Sequence, residues 1–160
     1  MRQEHRLFAK GRPAGLALCE EAGTSTRFEA VIGEHGTTRR ITGRAVVDDA
    51  LAFTLIEVEF DGQGINVLPP RGAVVDIEGA PGLFGLTARR LLAKDPHPGE
   101  AHEVVIVRVR PDGDVKEKRG RCVWVGGVEW SLLALGEATR FRVREDGRVA
   151  SVQATAELVE

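Results

Sequence analysis

The stretch that decides the fold class is Leu55-Ile56-Glu57-Val58-Glu59-Phe60, with Asp61-Gly62 directly after it. Its apolar residues alternate with the two glutamates, which is the period-two pattern of a β-strand with one buried face and one wet face. An Asp-Gly pair is typical of the tight turn between antiparallel strands. The stretch therefore predicts one strand of an antiparallel hairpin.

The same pattern recurs on both sides of this stretch. Residues 140–144 alternate arginine with Phe141 and Val143, and the turn at Asp146-Gly147 leads into a predicted returning strand at 149–159. Residues 104–109 are nearly all β-branched, which favours a strand covered on both faces. Short strands separated by glycine turns indicate an antiparallel meander or barrel.

Residues 83–94 break the alternation. They are rich in leucine and predict either a three-turn helix ending before Pro96 or an irregular extended crossing, because Gly82 and Gly85 each weaken a helix by about 1 kcal/mol. The fold prediction is a single all-β domain over residues 1–160. It is a curved antiparallel β-roll or half-open barrel of about ten to twelve strands, with at most one short helix near 83–94.

Composition limits the function classes. The chain has 22 basic and 24 acidic residues and a net charge of -2, which argues against a nucleic-acid partner. No apolar run reaches the ~18 residues of a membrane span. The polar N-terminus does not resemble a signal peptide, so we expect a soluble cytoplasmic protein, or a periplasmic one if a signal peptide was removed.

Motifs for catalysis and metal binding are absent from the sequence. No serine lies in a Gly-x-Ser-x-Gly motif, and no zinc, calcium or phosphate-loop motif occurs. Cys19 and Cys122 lack metal-ligand spacing and are expected either to be buried as small apolar side chains or to pair as a disulfide. We therefore predict no catalytic residue, no metal and no cofactor.

Two pairs of charged residues are candidate site residues. Asp76 and Glu78 share one face of a predicted strand, where they serve either as a solvated face or as an acid–base pair, since neighbouring like charges raise one pKa. Arg89 and Arg90 stand among apolar residues and could bind a phosphate or carboxylate, which guanidinium groups match in shape. Alternatively, the arginines pair with Asp76, Glu78 or another acidic strand residue.

A family resemblance adds to these patterns. Val75-Asp76-Ile77-Glu78, followed by Pro81 and then by Arg89-Arg90-Leu91, resembles a block of a bacterial glycolipid-binding family with a spiral β-roll fold. Residues 30–33 and 141–149 look similar to further parts of that family. The hairpin at 11–15 and the crossing at 83–92 also resemble the half-barrels of lipoprotein-carrier domains. Both resemblances imply a strongly curved antiparallel sheet with an apolar hollow.

The resemblance implies a non-enzymatic binder of a lipid-like or glycolipid-like molecule. Arg89 and Arg90, with Asp76 and Glu78 nearby, would meet the polar head. The hollow would be lined by Phe60, Leu83, Phe84, Trp124, Trp130 and Phe141, which are ordinary core residues if the hollow is filled.

Two other hypotheses remain open from the sequence. One is an interaction module that forms a homodimer through an exposed strand edge, at 72–77 or at 149–159. The other is a small enzyme that uses Asp76 or Glu78 as a base.

Overall fold

A computed structural model describes residues 1–160, apart from the side chain of Glu34. The chain forms thirteen strands and one helix. In chain order they are β1 (Arg2–Ala9), β2 (Arg12–Ala22), β3 (Ser25–Glu34), β4 (Thr37–Val47), β5 (Phe53–Phe60), β6 (Gln63–Val67), β7 (Val74–Ile77), α1 (Leu83–Leu92), β8 (Ala101–Val109), β9 (Val115–Gly126), β10 (Glu129–Ala134), β11 (Glu137–Val143), β12 (Val149–Val152) and β13 (Ala156–Leu158).

All thirteen strands belong to one open, curved sheet. Its order is β6-β5-β4-β3-β2-β1-β13-β12-β11-β10-β9-β8-β7. Two meanders, one from each half of the chain, join where β1 pairs with β13. Every pairing is antiparallel except that of β7 with β8, which is parallel. The predicted all-β class and the predicted antiparallel sheet are confirmed, with thirteen strands instead of ten to twelve.

The stretch at residues 55–60 forms most of β5. Ile56, Val58 and Phe60 are buried, whereas Glu57 and Glu59 lie on the other face. The turn at Asp61-Gly62 has φ angles of 48° and 87°, the left-handed conformation that a two-residue hairpin turn requires. Hairpin chemistry and hydrophobic alternation therefore specify this part of the sheet locally.

The helix α1 lies against the buried face of the sheet and is enclosed on nearly all sides. Eight of its ten residues are buried, Thr87 and Arg90 among them, and only Arg89 and Leu92 are more exposed. The Phe84 ring stacks on that of Phe141 at a centroid distance of 4.8 Å, and Phe141 stacks on Trp130 at 5.9 Å. Side chains of the helix and the sheet thus fill the centre of the fold.

Three glycines allow the helix to approach the sheet closely. A Cβ atom on Gly79 would lie 2.8 Å from the Ala30 Cβ, one on Gly82 would lie 2.6 Å from the Cys19 Sγ, and one on Gly85 would lie 2.5 Å from the Gly147 carbonyl oxygen. Real Cβ atoms essentially never make contacts this short. The glycines that lower helix propensity are therefore required by packing.

We expect Gly85→Ala to destabilise the protein. Overpacking against the Gly147 backbone outweighs the gain in helix propensity, so the free energy of unfolding should fall by about 1–2 kcal/mol in urea titrations. Gly64→Ala is the matched control, because no atom lies within 4 Å of a Cβ at that position. A Gly85→Ala variant more stable than wild type would show that the helix does not press on this turn.

Two buried polar side chains of β1 hold the backbone of β12. The Val149 N–H donates to the Gln3 Oε1 at 2.9 Å, and the His5 Nε2 donates to the Val149 carbonyl oxygen at 2.7 Å. The His5 Nδ1 is buried and has no hydrogen-bond partner among the described residues. Burial lowers the pKa of His5 below its ordinary 6.5, against the opposing effect of the Val149 bond, so the folded protein keeps this imidazole neutral.

His5 should make stability depend on pH. The unfolded chain binds a proton at His5 near pH 6.5, whereas the folded chain binds it only at lower pH, so stability is lost between these two values as the pH falls. One such group contributes a slope of up to about 1.4 kcal/mol per pH unit. His5→Gln should remove this contribution when urea unfolding is compared across that range, whereas His97→Gln, at an exposed position, should not. Parallel curves for wild type and His5→Gln would contradict the assignment.

Two expectations from the sequence are settled by the strand order. Residues 149–159 cannot supply an edge, because β12 and β13 lie inside the sheet between β11 and β1. The edge prediction at 72–77 is right in position, since β7 is terminal, but three of its four residues are buried.

Cys19 and Cys122 are both buried and free.

Among the described residues, no helix has the length and apolar character needed to cross a membrane.

Candidate functional site

A cleft of about 640 Å³ opens at the N-terminal end of α1, where the ends of several strands converge. We call it the amphiphilic cleft because its lining is of two kinds. Its larger apolar lining residues are Leu7, Phe8, Ile32, Ile77, Phe84 and Val152. Its charged lining residues are Asp76, Glu78, Arg108, Arg110 and Glu137.

Arg108 organises the charged part of the cleft. It lies opposite Asp76 in the parallel pairing of β7 with β8, and its Nε donates to the Asp76 Oδ2 at 3.2 Å. Its Nη1 donates to the Glu137 Oε2, so one guanidinium joins two carboxylates from different strands. Only 8% of the Arg108 side chain is exposed, against 20% for Asp76 and 42% for Glu137, so two carboxylates that keep contact with water hold a buried guanidinium.

Glu137 completes this network at the start of β11. The hydrogen bond from Arg108 holds the pKa of Glu137 below its ordinary value, with a smaller contribution from Lys118, whose Nζ lies 3.6 Å from the same carboxylate oxygen. Glu137 is therefore ionised at neutral pH. The cleft presents fixed hydrogen-bond acceptors beside a cationic donor and beside apolar side chains.

Three of the site residues predicted from the sequence meet in this cleft. Asp76 and Glu78 follow one another along its wall, and Phe84 of α1 reaches it from the helix. Asp76 has Arg108 as its ion-pair partner, not Arg89 or Arg90.

The two arginines lie elsewhere and point to different surroundings. Arg89 is half-buried and forms an ion pair with Glu21 of β2. Arg90 is buried and borders a second cavity at the C-terminal end of α1. Neither lines the amphiphilic cleft, so the structure does not bring the arginine pair and the acidic pair together.

The remaining predicted lining residues belong to the packed centre of the fold. Leu83, Trp130 and Phe141 are almost completely buried, and Phe60 is buried in β5. Trp124 is partly buried, its ring lies 6.5 Å from that of Trp130, and its Nε1 donates to the Gly127 carbonyl oxygen at 3.0 Å. None of these five lines the amphiphilic cleft.

Arg108 and Glu137 were missed by the sequence analysis. The sequence signal that could have identified them is Arg108 itself, because it interrupts an otherwise apolar run at 104–109. Arginine is almost never fully buried without a partner, so its position in such a strand indicates a buried ion pair. Which carboxylates supply the partner depends on strand order, which the local pattern does not contain.

Comparison with known proteins gives one structural relative. A crystal structure of a DUF1089 family protein from Pseudomonas aeruginosa, at 1.80 Å resolution, is similar with a TM-score of 0.72. The similarity covers 88% of this chain and 89% of that chain, at 14% sequence identity. No family model matches the sequence, and no curated protein is significantly similar to it. At this identity the likeness shows a shared fold alone.

We expect Arg108→Met to destabilise the protein by about 1–3 kcal/mol, because it leaves the Asp76 carboxylate without its cation and Glu137 with Lys118 alone. Arg142→Met is the matched control. It removes an exposed ion pair with Glu129 at 2.8 Å and should cost less than about 1 kcal/mol. Urea unfolding measures both, and an NMR titration should show a higher pKa for Glu137 in Arg108→Met. Equal losses in the two variants would contradict a structural role for the network.

Proposed function

We propose that this protein is a non-enzymatic binder of a small amphiphilic molecule with a lipid-like or glycolipid-like character, and that the ligand occupies the amphiphilic cleft. The observation that carries the proposal is the two-part lining of one cleft. Apolar side chains and an ordered network of charged groups border the same 640 Å³. Small-molecule sites typically combine a largely apolar wall with a few fixed polar groups in about 300–1,000 Å³.

The apolar part of such a ligand would lie against Leu7, Phe8, Ile32 and Phe84. Burial of apolar surface contributes roughly 25 cal/mol per Å², so an alkyl chain supplies most of the affinity. The cleft is sized for one short chain and a head group, which favours a single-chain amphiphile over a two-chain lipid.

The head group would meet Asp76, Glu78 and Arg108. Hydroxyl groups both donate and accept hydrogen bonds, so a polyhydroxylated head can donate to the carboxylates and accept from the guanidinium. A head group of this kind is also what the resemblance to the glycolipid-binding family implies. Because Arg108 is already held by Asp76 and Glu137, the polar groups are positioned before the ligand arrives.

A binding role accounts for the cleft better than catalysis does. A general base works best with a pKa near the operating pH, and Arg108 moves the pKa of Glu137 away from that range. Asp76, one of the two bases considered from the sequence, has its carboxylate engaged by the same arginine.

Native mass spectrometry of detergent-free protein, followed by analysis of the organic extract, tests the proposal. We expect a discrete adduct of a few hundred daltons that is released by organic solvent, and saturable binding of an apolar fluorescent dye once the ligand is removed. Thr139→Trp should abolish both, because Thr139 lines the cleft and lies on the same face of β11 as the buried Phe141, so the indole would occupy the cleft. Leu16→Trp, an exposed position on β2 outside the cleft, should change neither. The mass of the ligand-free protein alone, together with no dye binding, would contradict the proposal.

A second candidate function is homodimer formation through β6. This strand is the terminal strand beyond β5, its residues are exposed or half-buried, and the next residue, Leu68, is 77% exposed. An unpaired edge of this kind can add a strand from another molecule. The same mass spectra discriminate the two functions, since a dimer without an adduct, increasing with protein concentration, would favour this one.

A further inference from the structure

A second cavity, of about 830 Å³, lies at the opposite end of α1 from the amphiphilic cleft. It is bordered by the turn before β5, the segment before β7, the last turn of α1 and the start of β8. We call it the basic cavity after its titratable lining residues, which are Arg71, Arg90, Lys94, His102, Glu103 and Arg119. It shares no lining residue with the amphiphilic cleft.

Arg90 is the deepest charge in the basic cavity. The residue is only 7% exposed, and its Nε is buried without a hydrogen-bond partner among the described residues. Its one hydrogen bond runs from the Nη1 to the Ala73 carbonyl oxygen at 3.4 Å, near the upper limit for such a bond. Burial lowers the pKa of Arg90, as expected for a cation that has lost water and gained little in return.

The carboxylate whose charge acts on Arg90, that of Asp48, forms no ion pair with it. Asp48 acts on Arg90 through its charge, but its Oδ2 accepts from the Arg71 Nη1 at 2.9 Å. Its Oδ1 accepts the backbone N–H groups of Ala50 and Ala52 at 2.9 and 3.0 Å. The Asp48 carboxylate thus accepts three hydrogen bonds from other groups, and no described carboxylate forms an ion pair with Arg90.

A second unpaired buried nitrogen belongs to the same cavity. His102 lies on β8, and its Nε2 is buried with no partner among the residues described. Buried polar groups nearly always have a partner, and two of the five unpartnered side-chain atoms in the described chain belong to residues that line this cavity.

The wider surroundings are also cationic. Lys94 and Arg119 border the cavity and form no ion pair with any described residue. The one acidic lining residue, Glu103, pairs with Arg121 at 3.2 Å. Three cations therefore face this cavity without a counterion from the described part of the chain.

We propose that the basic cavity binds the dianionic phosphoryl group of a small phosphorylated molecule. Arg90 would hold two phosphoryl oxygens through its fork, and the phosphoryl charge would compensate its buried cation. Lys94 and Arg119 would add charge at the mouth. The volume exceeds what a phosphoryl group needs, and Ala50, Ala52, Leu91 and Val104 offer apolar contact to an organic body.

Isothermal titration calorimetry with inorganic phosphate and with phenyl phosphate tests this proposal at matched ionic strength, because exposed charges are screened by salt. Both probes should bind, and phenyl phosphate should bind more tightly through its ring. Equal affinities would mean that the site binds free phosphate, which would contradict the proposal that the ligand carries an organic group. No heat with either probe would overturn the site.

Arg90→Met is the decisive variant. It should lower phenyl phosphate affinity at least tenfold, and without probe it should be no less stable than wild type, because an unpaired buried charge is removed. Arg27→Met, at an exposed position on β3 outside the cavity, should stay within twofold of wild type. If Arg90→Met fails to fold, the arginine is structural. Arg119→Gln then decides the matter, with an expected loss of severalfold in affinity and no loss of stability.

The proposal is independent of the amphiphile proposed for the other end of the helix. Thr139→Trp should leave phenyl phosphate binding unchanged, and Arg90→Met should leave the amphiphile adduct unchanged. Loss of both ligands in either variant would mean that the two cavities form one site, which would overturn the separate phosphoryl site.

Discussion

The structure depends on the packing of α1 against the buried face of one curved sheet. A sheet of thirteen strands exposes a large apolar face unless something covers it, and a ten-residue helix with eight buried residues provides that cover. The stack of Phe84, Phe141 and Trp130 fixes the helix laterally, and the approach of Gly82 and Gly85 to the sheet fixes its depth. Since the helix fills the middle, open space remains at its two ends.

The two ends differ in how their buried arginines are compensated. Arg108, at the N-terminal end of α1, has carboxylates from two strands and is fully integrated in the fold. Arg90, at the C-terminal end, has a single long bond to a carbonyl oxygen. Near the C-terminus of a helix the macrodipole favours a cation, which offsets part of the cost of burying Arg90. That contribution does not provide a hydrogen-bond partner for the Arg90 Nε. Arg108 therefore belongs to a complete ion-pair network, whereas Arg90 lacks such partners among the described residues.

Local sequence patterns were sufficient for much of the fold. Alternation and turn chemistry at residues 55–62 predicted β5 and its hairpin, because both are properties of neighbouring residues. The helix at 83–92 stayed ambiguous for a physical reason. Gly82 and Gly85 reduce helix propensity, and the contacts that require them, with Cys19 and Gly147, come from residues distant in sequence. Residues 149–159 could not be placed from local pattern for the same reason. The sequence suggests a sheet edge there, but the strand order puts these residues inside the sheet.

The candidate site was less predictable than the fold. Asp76, Glu78 and Phe84 line one cleft, but the ion-pair partner of Asp76, Arg108, comes from the adjacent parallel strand. The prediction that Arg89 and Arg90 bind one anion together does not take helix geometry into account. Consecutive residues on a helix diverge by about 100° and do not face the same partner. Arg89 accordingly reaches Glu21, whereas Arg90 turns towards Ala73.

The position of α1 also determines how the two ends can influence each other. Phe84 borders the amphiphilic cleft, and Arg90 and Leu91 border the basic cavity, so one rigid element contacts both. Coupling between the ends would require the helix to move along its axis. The backbone of Gly85 lies so close to the Gly147 carbonyl oxygen that even a methyl group does not fit between them, and such contacts oppose sliding. Occupation of one end should therefore leave the affinity of the other unchanged, since a ligand shifts only an equilibrium for which it has differential affinity.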